Sequence, residues 1–199
     1  MKIQSSFWLA VAATLMLSAC STSVERLDAQ EQIDLSGAWN DTDSQLVARE
    51  MIEDSLSRTW ISKFVSREGK DPVVIVGRVK NLSHEHINTN TFVANMEREL
   101  INSGEVQFVA SSANRQEIRD ERADQDLNAT EATRKEAGQE YGADYIMQGQ
   151  INTIVDVDGT TQVRYYQVNL ELISIKDNRK VWVGEKKIKK LIKNSKLRL

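Results

Sequence analysis

Two runs rich in β-branched and aromatic residues, Tyr145 to Val157 and Thr161 to Ile175, flank the dipeptide Asp158-Gly159, and no other feature constrains the fold as strongly. A dipeptide of this kind supplies the left-handed backbone that a tight hairpin turn needs, so the two runs pair as one long antiparallel hairpin. After Lys176-Asp177-Asn178-Arg179 a third strand, Val181 to Lys186, returns. A sheet of this kind needs a covering layer, and the upstream sequence contains it.

Leu46, Val47, Ile52, Leu56, Trp60, Ile61 and Phe64 recur at helical spacing across residues 42 to 64, behind Asp41, Thr42 and Asp43 as candidate caps. Val73 to Val76 is a short β-branched run bounded by Pro72 and reads as a buried strand. Thr89 or Thr91 opens a second helix with Phe92, Met96 and Leu100 on one face, and Gly104 stands where its end is expected. A strand from Val106 to Ala110 follows. Residues 111 to 141 are charged and alanine-rich, with a break at Leu127-Asn128-Ala129 and Thr130 as a cap, so they read as two short helices. The order α-β-α-β-α-α-β-β-β gives an α+β fold in which about four helices pack on a mixed sheet. With 40% hydrophobic and 28% charged residues the chain is not of the disordered class, and residues 39–199 suffice for one domain.

The first residues have another purpose. Lys2, the apolar run Phe7 to Leu17 and then Leu17-Ser18-Ala19-Cys20 form a secretory leader over residues 1–19, too short in its apolar part to span a bilayer, which takes about 20 residues. The segment LSAC resembles the lipobox of bacterial lipoproteins, which implies that Cys20 is acylated and becomes the mature N-terminus. Two or three acyl chains anchor a protein essentially for good. Ser21 after that cysteine resembles the outer-membrane sorting pattern, with the domain facing the periplasm. Residues 20–38 then form a lipidated start and a short polar linker, which reaches roughly 60 Å at full stretch. As Cys20 is the single cysteine, neither an internal disulfide nor a thiol-based zinc site is open to this chain.

Charge is uneven. Seven basic residues follow Glu185 with no acid among them (Lys186, Lys187, Lys189, Lys190, Lys193, Lys196 and Arg198), leaving 19 basic against 29 acidic residues in the rest. Ile188, Leu191 and Ile192 interleave with these lysines at spacing that suits either a helix or a continuing strand. The stretch is either a solvated basic tail along the domain edge or a contact for anionic lipid, polymer or partner. His84 and His86 share a face if extended, but no third ligand completes a zinc set, and they read as loop residues before a helix. Asp120, Glu121, Asp124 and Asp126 alternate with Arg115, Arg119 and Arg122 as on a solvated helix face. The sequence has no nucleophile elbow, no phosphate-binding glycine loop and no dinucleotide fingerprint. Trp60 and Trp182 lie on apolar faces. Trp39 stands in a polar approach, either stapling the linker to the domain or presenting a binding surface.

Asp34-Leu35-Ser36-Gly37-Ala38-Trp39-Asn40-Asp41-Thr42-Asp43-Ser44 resembles the opening motif of the penicillin-binding protein activator LpoB family. Val79 to Ser83, Glu85 to Thr89, Ile101 to Gly104, Tyr141 to Ile146 and Trp182 to Lys187 resemble its later segments in order. The resemblance implies a domain like the N-terminal domain of TolB, on an outer-membrane lipoprotein that activates a bifunctional class A penicillin-binding protein and itself catalyses nothing. It implies no cofactor, no nucleic acid and a monomer. Trp39, Lys187, Lys189, Lys190 and Lys193 are the candidate partner-binding residues. Two other readings stand beside it: an assembly lipoprotein resembling CsgG in part of its fold, and a binder of anionic lipid or wall through the basic stretch.

Overall fold

A computed structural model describes residues 24–28, 31–135 and 140–193. The chain divides into two compact units, residues 1–32 and 33–199. In the first, the described residues form no regular element, and the Glu31 N–H donates to the Asp28 carbonyl at 3.0 Å. The leader and Cys20 lie outside the described residues, as do Lys196 and Arg198.

The second unit runs α1 (Asp41–Leu56), α2 (Trp60–Glu68), β1 (Val73–Leu82), α3 (Thr89–Ser103), β2 (Gln107–Phe108), α4 (Ser112–Asn128), β3 (Tyr145–Asp158), β4 (Thr161–Ser174) and β5 (Lys180–Lys193). Its sheet has the order β2-β1-β3-β4-β5. β1 runs parallel to β2 and β3, while β3, β4 and β5 are antiparallel neighbours, so the sheet is mixed and the class is α+β. The hairpin pairs without a slip from Tyr145↔Ser174 to Asp158↔Thr161. Gly159 turns it with φ 58°, a conformation that glycine adopts at no steric cost.

Period-two alternation decides which face is covered. On β4, Tyr166, Val168, Leu170 and Leu172 are buried, while the residues between them are only half-buried. The buried set meets Val47 and Ile52 of α1 and Phe92, Met96 and Leu100 of α3 in one core. Each such side chain contributes about 1.5–3 kcal/mol by leaving water. α1 packs on α3 and β5, and α3 lies on β1. α2 adds Trp60 and Phe64, edge-on to Tyr145 at 5.2 and 5.5 Å between centroids. The opposite face of the sheet carries Leu82, Ile154, Val183 and Leu191, each more than half exposed.

Several elements differ from the sequence expectation. The single helix expected over residues 42–64 is two, because Ser57 ends α1 and the Trp60 indole donates to the Ser55 carbonyl at 2.8 Å, turning the chain so that Trp60 reaches the core. The caps are Asn40 and Asn88 rather than the acids and threonines beside them; Asn40 forms a reciprocal capping box with Asp43, 3.0 Å each way. Gly104 ends α3 in the left-handed conformation, as expected. The strand expected at 106–110 shortens to Gln107–Phe108. α4 is one helix with none of its described side chains buried, and residues 131–133 form a turn, with no further helix among the described residues before β3. The stretch read as a basic tail is strand as far as Lys193, giving β5 fourteen residues.

Candidate docking surface

The motif from Asp34 to Ser44 lies as a strap across β4 and β5. Gly37 packs so closely on Ile192 that a Cβ would stand 1.9 Å from its Cδ1, so a side chain there would require Ile192 to move. The Trp39 indole donates to Ser44 Oγ at 2.7 Å, and its ring stands edge-on to Phe92 and Tyr166 at 6.1 and 5.6 Å. Trp39 therefore packs, partly buried, against the core.

Glu85 is the hub of this strap. Its carboxylate accepts from the Trp39 N–H at 3.1 Å, from Arg164 Nη1 at 2.7 Å and from the Tyr166 hydroxyl at 2.7 Å. The same hydroxyl lies 2.9 Å from the Gly37 carbonyl, so its one proton serves either acceptor. Burial, and then the Glu85 carboxylate, push the Tyr166 phenol well above the ordinary tyrosine range. In the sequence Glu85 stands out only as the first residue of the LpoB-like segment Glu85 to Thr89. Its partners lie 46, 79 and 81 residues away, a separation no local pattern reports. The two histidines stand in the connection between β1 and α3, and no group of three or more potential metal ligands occurs among the described residues.

The lysines of β5 divide by strand parity. Lys190 points inward, its side chain 13% exposed, and binds Asp34 at 2.8 Å, Asp43 at 2.6 Å and the Ala38 carbonyl at 3.2 Å. Burial opposes its charge, but the hydrogen bonds to Asp34 and Asp43 outweigh it and hold the ammonium above its ordinary pKa. The Asp34 carboxyl is held below its usual range by the same bond. Lys187, Lys189 and Lys193 point outward and are exposed. Lys187 pairs with Glu185 at 2.6 Å, whereas Lys189 and Lys193 make no ion pair among the described residues. Leu191, 60% exposed, sits between them. β5 is fixed to α1 by the Trp182 indole on Asp54 at 2.8 Å and by the Lys186–Glu50 pair.

At the other end of the sheet a cavity of about 750 Å³ opens between α2 and the start of β5. Most of its cations are already paired: Arg67 with Glu68, Lys70 with Asp144, Arg179 with Asp177 and Lys180 with Glu171.

A family model described as the peptidoglycan-synthase activator LpoB matches residues 43–188, from the capping box of α1 to the middle of β5. The chain belongs to the LpoB family. Activation of a peptidoglycan synthase, a regulator's part, is therefore its general role. No curated protein matches the chain. Among solved structures, the lipoprotein GNA1162 from Neisseria meningitidis is similar at 15% identity over 63% of this chain and 88% of that one, with a TM-score of 0.42. The LpoB C-terminal domain from Salmonella enterica is similar at 18% identity over 64% and 91%, TM-score 0.34. LpoB from Escherichia coli, solved by NMR, is similar at 15% identity over 88% and 83%, TM-score 0.40. Among the described residues, no helix of this LpoB-family chain is long and apolar enough to cross a membrane.

Proposed function

We propose that this LpoB-family protein is an outer-membrane lipoprotein, acylated on Cys20 after loss of residues 1–19 and joined by the short linker to a periplasmic domain that binds a bifunctional class A penicillin-binding protein. The family match over residues 43–188 is the observation that carries this reading. The protein acts as a monomer, without cofactor or nucleic acid. Its docking patch is the outward row Lys187, Lys189 and Lys193 around Leu191, while Trp39 and Lys190 contribute by fixing the strap beneath it. An exposed basic row of this kind accelerates association with an acidic surface and loses that effect as salt rises.

Docking raises the synthase's rate by favouring one of its conformations. A ligand shifts an equilibrium only by the difference in its affinity for the two states, and a tenfold shift needs about 1.4 kcal/mol of difference. A patch of a few side chains supplies that much.

Site-specific photo-crosslinking tests the reading. With a crosslinker at position 191, the full chain in detergent should capture a purified cognate class A penicillin-binding protein. Capture from position 63 instead would move the patch to the other end of the sheet, and capture from neither would reject the synthase partner.

A further inference from the structure

The sheet face turned away from the helices bears the lysine row at its β5 edge and, toward its centre, a surface of different chemistry. Along its centre β3 presents Gln148, Gln150 and Asn152, and β4 presents Gln167 and Asn169. Register sets Gln150 opposite Asn169 and Asn152 opposite Gln167. On the β1 side a bulge opposes Gly77 and Arg78 together to Gln148, because Val76 pairs with Met147 and Val79 with Gly149. Arg78, Lys80, Gln148, Gln150, Asn169 and Glu171 line a depression of about 260 Å³. On the β5 side Tyr165 stands opposite Lys189 and beside Ile154.

The partners already made show what is left over. Glu171 is taken by Lys180 and Gln148, and Glu185 by Lys187 and Gln167. Gln167 also donates to Asn169 at 3.2 Å. The side chains of Arg78, Lys80, Lys189, Gln150 and Asn152 make no hydrogen bond or ion pair with any described residue. Asp156 and Asp158, four and six residues beyond Asn152 at the hairpin turn, are the other acids that β3 places on this face.

A carboxamide is at once donor and acceptor, as are a sugar hydroxyl and an acetamido group, so a carpet of carboxamides can exchange water for such groups bond by bond. A protein partner fits poorly, since interface centres are built on aromatic and apolar anchors and desolvating five carboxamides against such a surface leaves them unpaired. A membrane fits poorly for the same reason: the most exposed apolar residues of this face, Leu82, Ile154, Val183 and Leu191, flank the carboxamides on β1, β3 and β5, and only Val183 of the four borders the depression. The unpaired cations at both flanks select carboxylates. We infer that this face binds a glycan strand bearing acetamido and carboxylate groups. That the strand is the wall's own glycan rests on the synthase reading; the chemistry of the face does not.

The test uses the full chain in detergent and calorimetric titration with uncrosslinked strands of alternating N-acetylglucosamine and N-acetylmuramic acid, freed of stem peptides. Chitin oligomers, with acetamido but no carboxylate, and polygalacturonate, with carboxylate but no acetamido, form the other arms. The muramyl strand should bind best. Gln150→Ala with Asn152→Ala should weaken it about tenfold, the loss expected for two neutral hydrogen bonds. Arg78→Ala with Lys80→Ala should weaken the muramyl strand but not chitin oligomers, and Lys63→Ala, in the far cavity, should change neither. Thermal melts establish that the variants fold. No binding of the muramyl strand overturns the inference, as does equal binding of polygalacturonate that the carboxamide variant leaves intact. Loss of synthase stimulation in the carboxamide variant, without glycan binding by the wild type, also overturns it and makes the face a protein interface. Glycan binding without stimulation of any synthase sustains the inference and removes the synthase reading instead.

Discussion

Lys190→Met separates a structural lysine from a docking lysine on the same strand. The wild-type ammonium is 13% exposed between Asp43, 8% exposed, and Asp34, 60% exposed. The Asp34 pair is screened by solvent and contributes little. Asp43 decides the outcome, because removing one partner of a buried ion pair strands the other charge, at about 3–5 kcal/mol. The Asn40 N–H still donates to the Asp43 carboxylate at 3.0 Å, so the low end applies, about 3 kcal/mol. In a chain of this length that lowers the melting temperature by about 6 to 12 °C. Lys189→Met, the same substitution one residue earlier but outward on the strand, should stay within about 0.5 kcal/mol. Thermal melts followed by circular dichroism measure both. The pair also has a pH signature. The raised Lys190 pKa means its contribution is complete below the unfolded lysine pKa, about 10.4, and is lost as pH rises through the folded value. The lowered Asp34 pKa means its smaller contribution is complete above the unfolded aspartate pKa, about 3.9, and is lost as pH falls through the folded value. Lys190→Met should erase the alkaline slope and weaken the acid one, since the Asn40 amide still donates to Asp34 at 2.6 Å. If the two variants melted together within about 2 °C, the inward placement of Lys190 would be wrong.

The remaining predictions concern the strap and the outer helix. Glu85→Ala removes three acceptor contacts and leaves Arg164 and the Trp39 N–H unpaired, so denaturant titration should show a loss of about 3 kcal/mol, with Trp39 fluorescence shifting before the far-ultraviolet signal. An unchanged midpoint would place the strap's hold elsewhere. In a spectroscopic alkaline titration Tyr166 should be the last tyrosine to ionise in the native state, and because its folded pKa is raised, its contribution is full below about pH 10 and fades above it. Glu140→Ala should free α4, seen as faster amide exchange over residues 114–128, with global stability nearly unchanged, since the Arg119–Glu140 fork is exposed.

What the sequence showed and what it hid follow from range. The hairpin was legible because a period of two over both strands, with a glycine at its turn, has one reading. β5 was legible only in part: in Lys187-Ile188-Lys189-Lys190-Leu191-Ile192 the apolar residues fit a strand and a helix equally, and pairing with β4 settles it, Gln162↔Ile192 and Tyr166↔Ile188 among the pairs. The inward turn of Lys190 needed Asp34 and Asp43, 156 and 147 residues away. The break after α1 depends on one indole bond, from Trp60 to Ser55, and periodicity does not see it. The carboxamides of the open face were in the sequence throughout, but only the register of β3 on β4 sets them side by side.

The most direct measurement of the central claim is the rate at which a purified cognate class A penicillin-binding protein polymerises lipid-linked disaccharide, with and without the full-length protein. The rate should rise severalfold, and charge reversal at Lys187, Lys189 and Lys193 together should cancel most of the rise while leaving the melting temperature in place. A rate unaffected by saturating protein, under conditions where the synthase is active, contradicts the account.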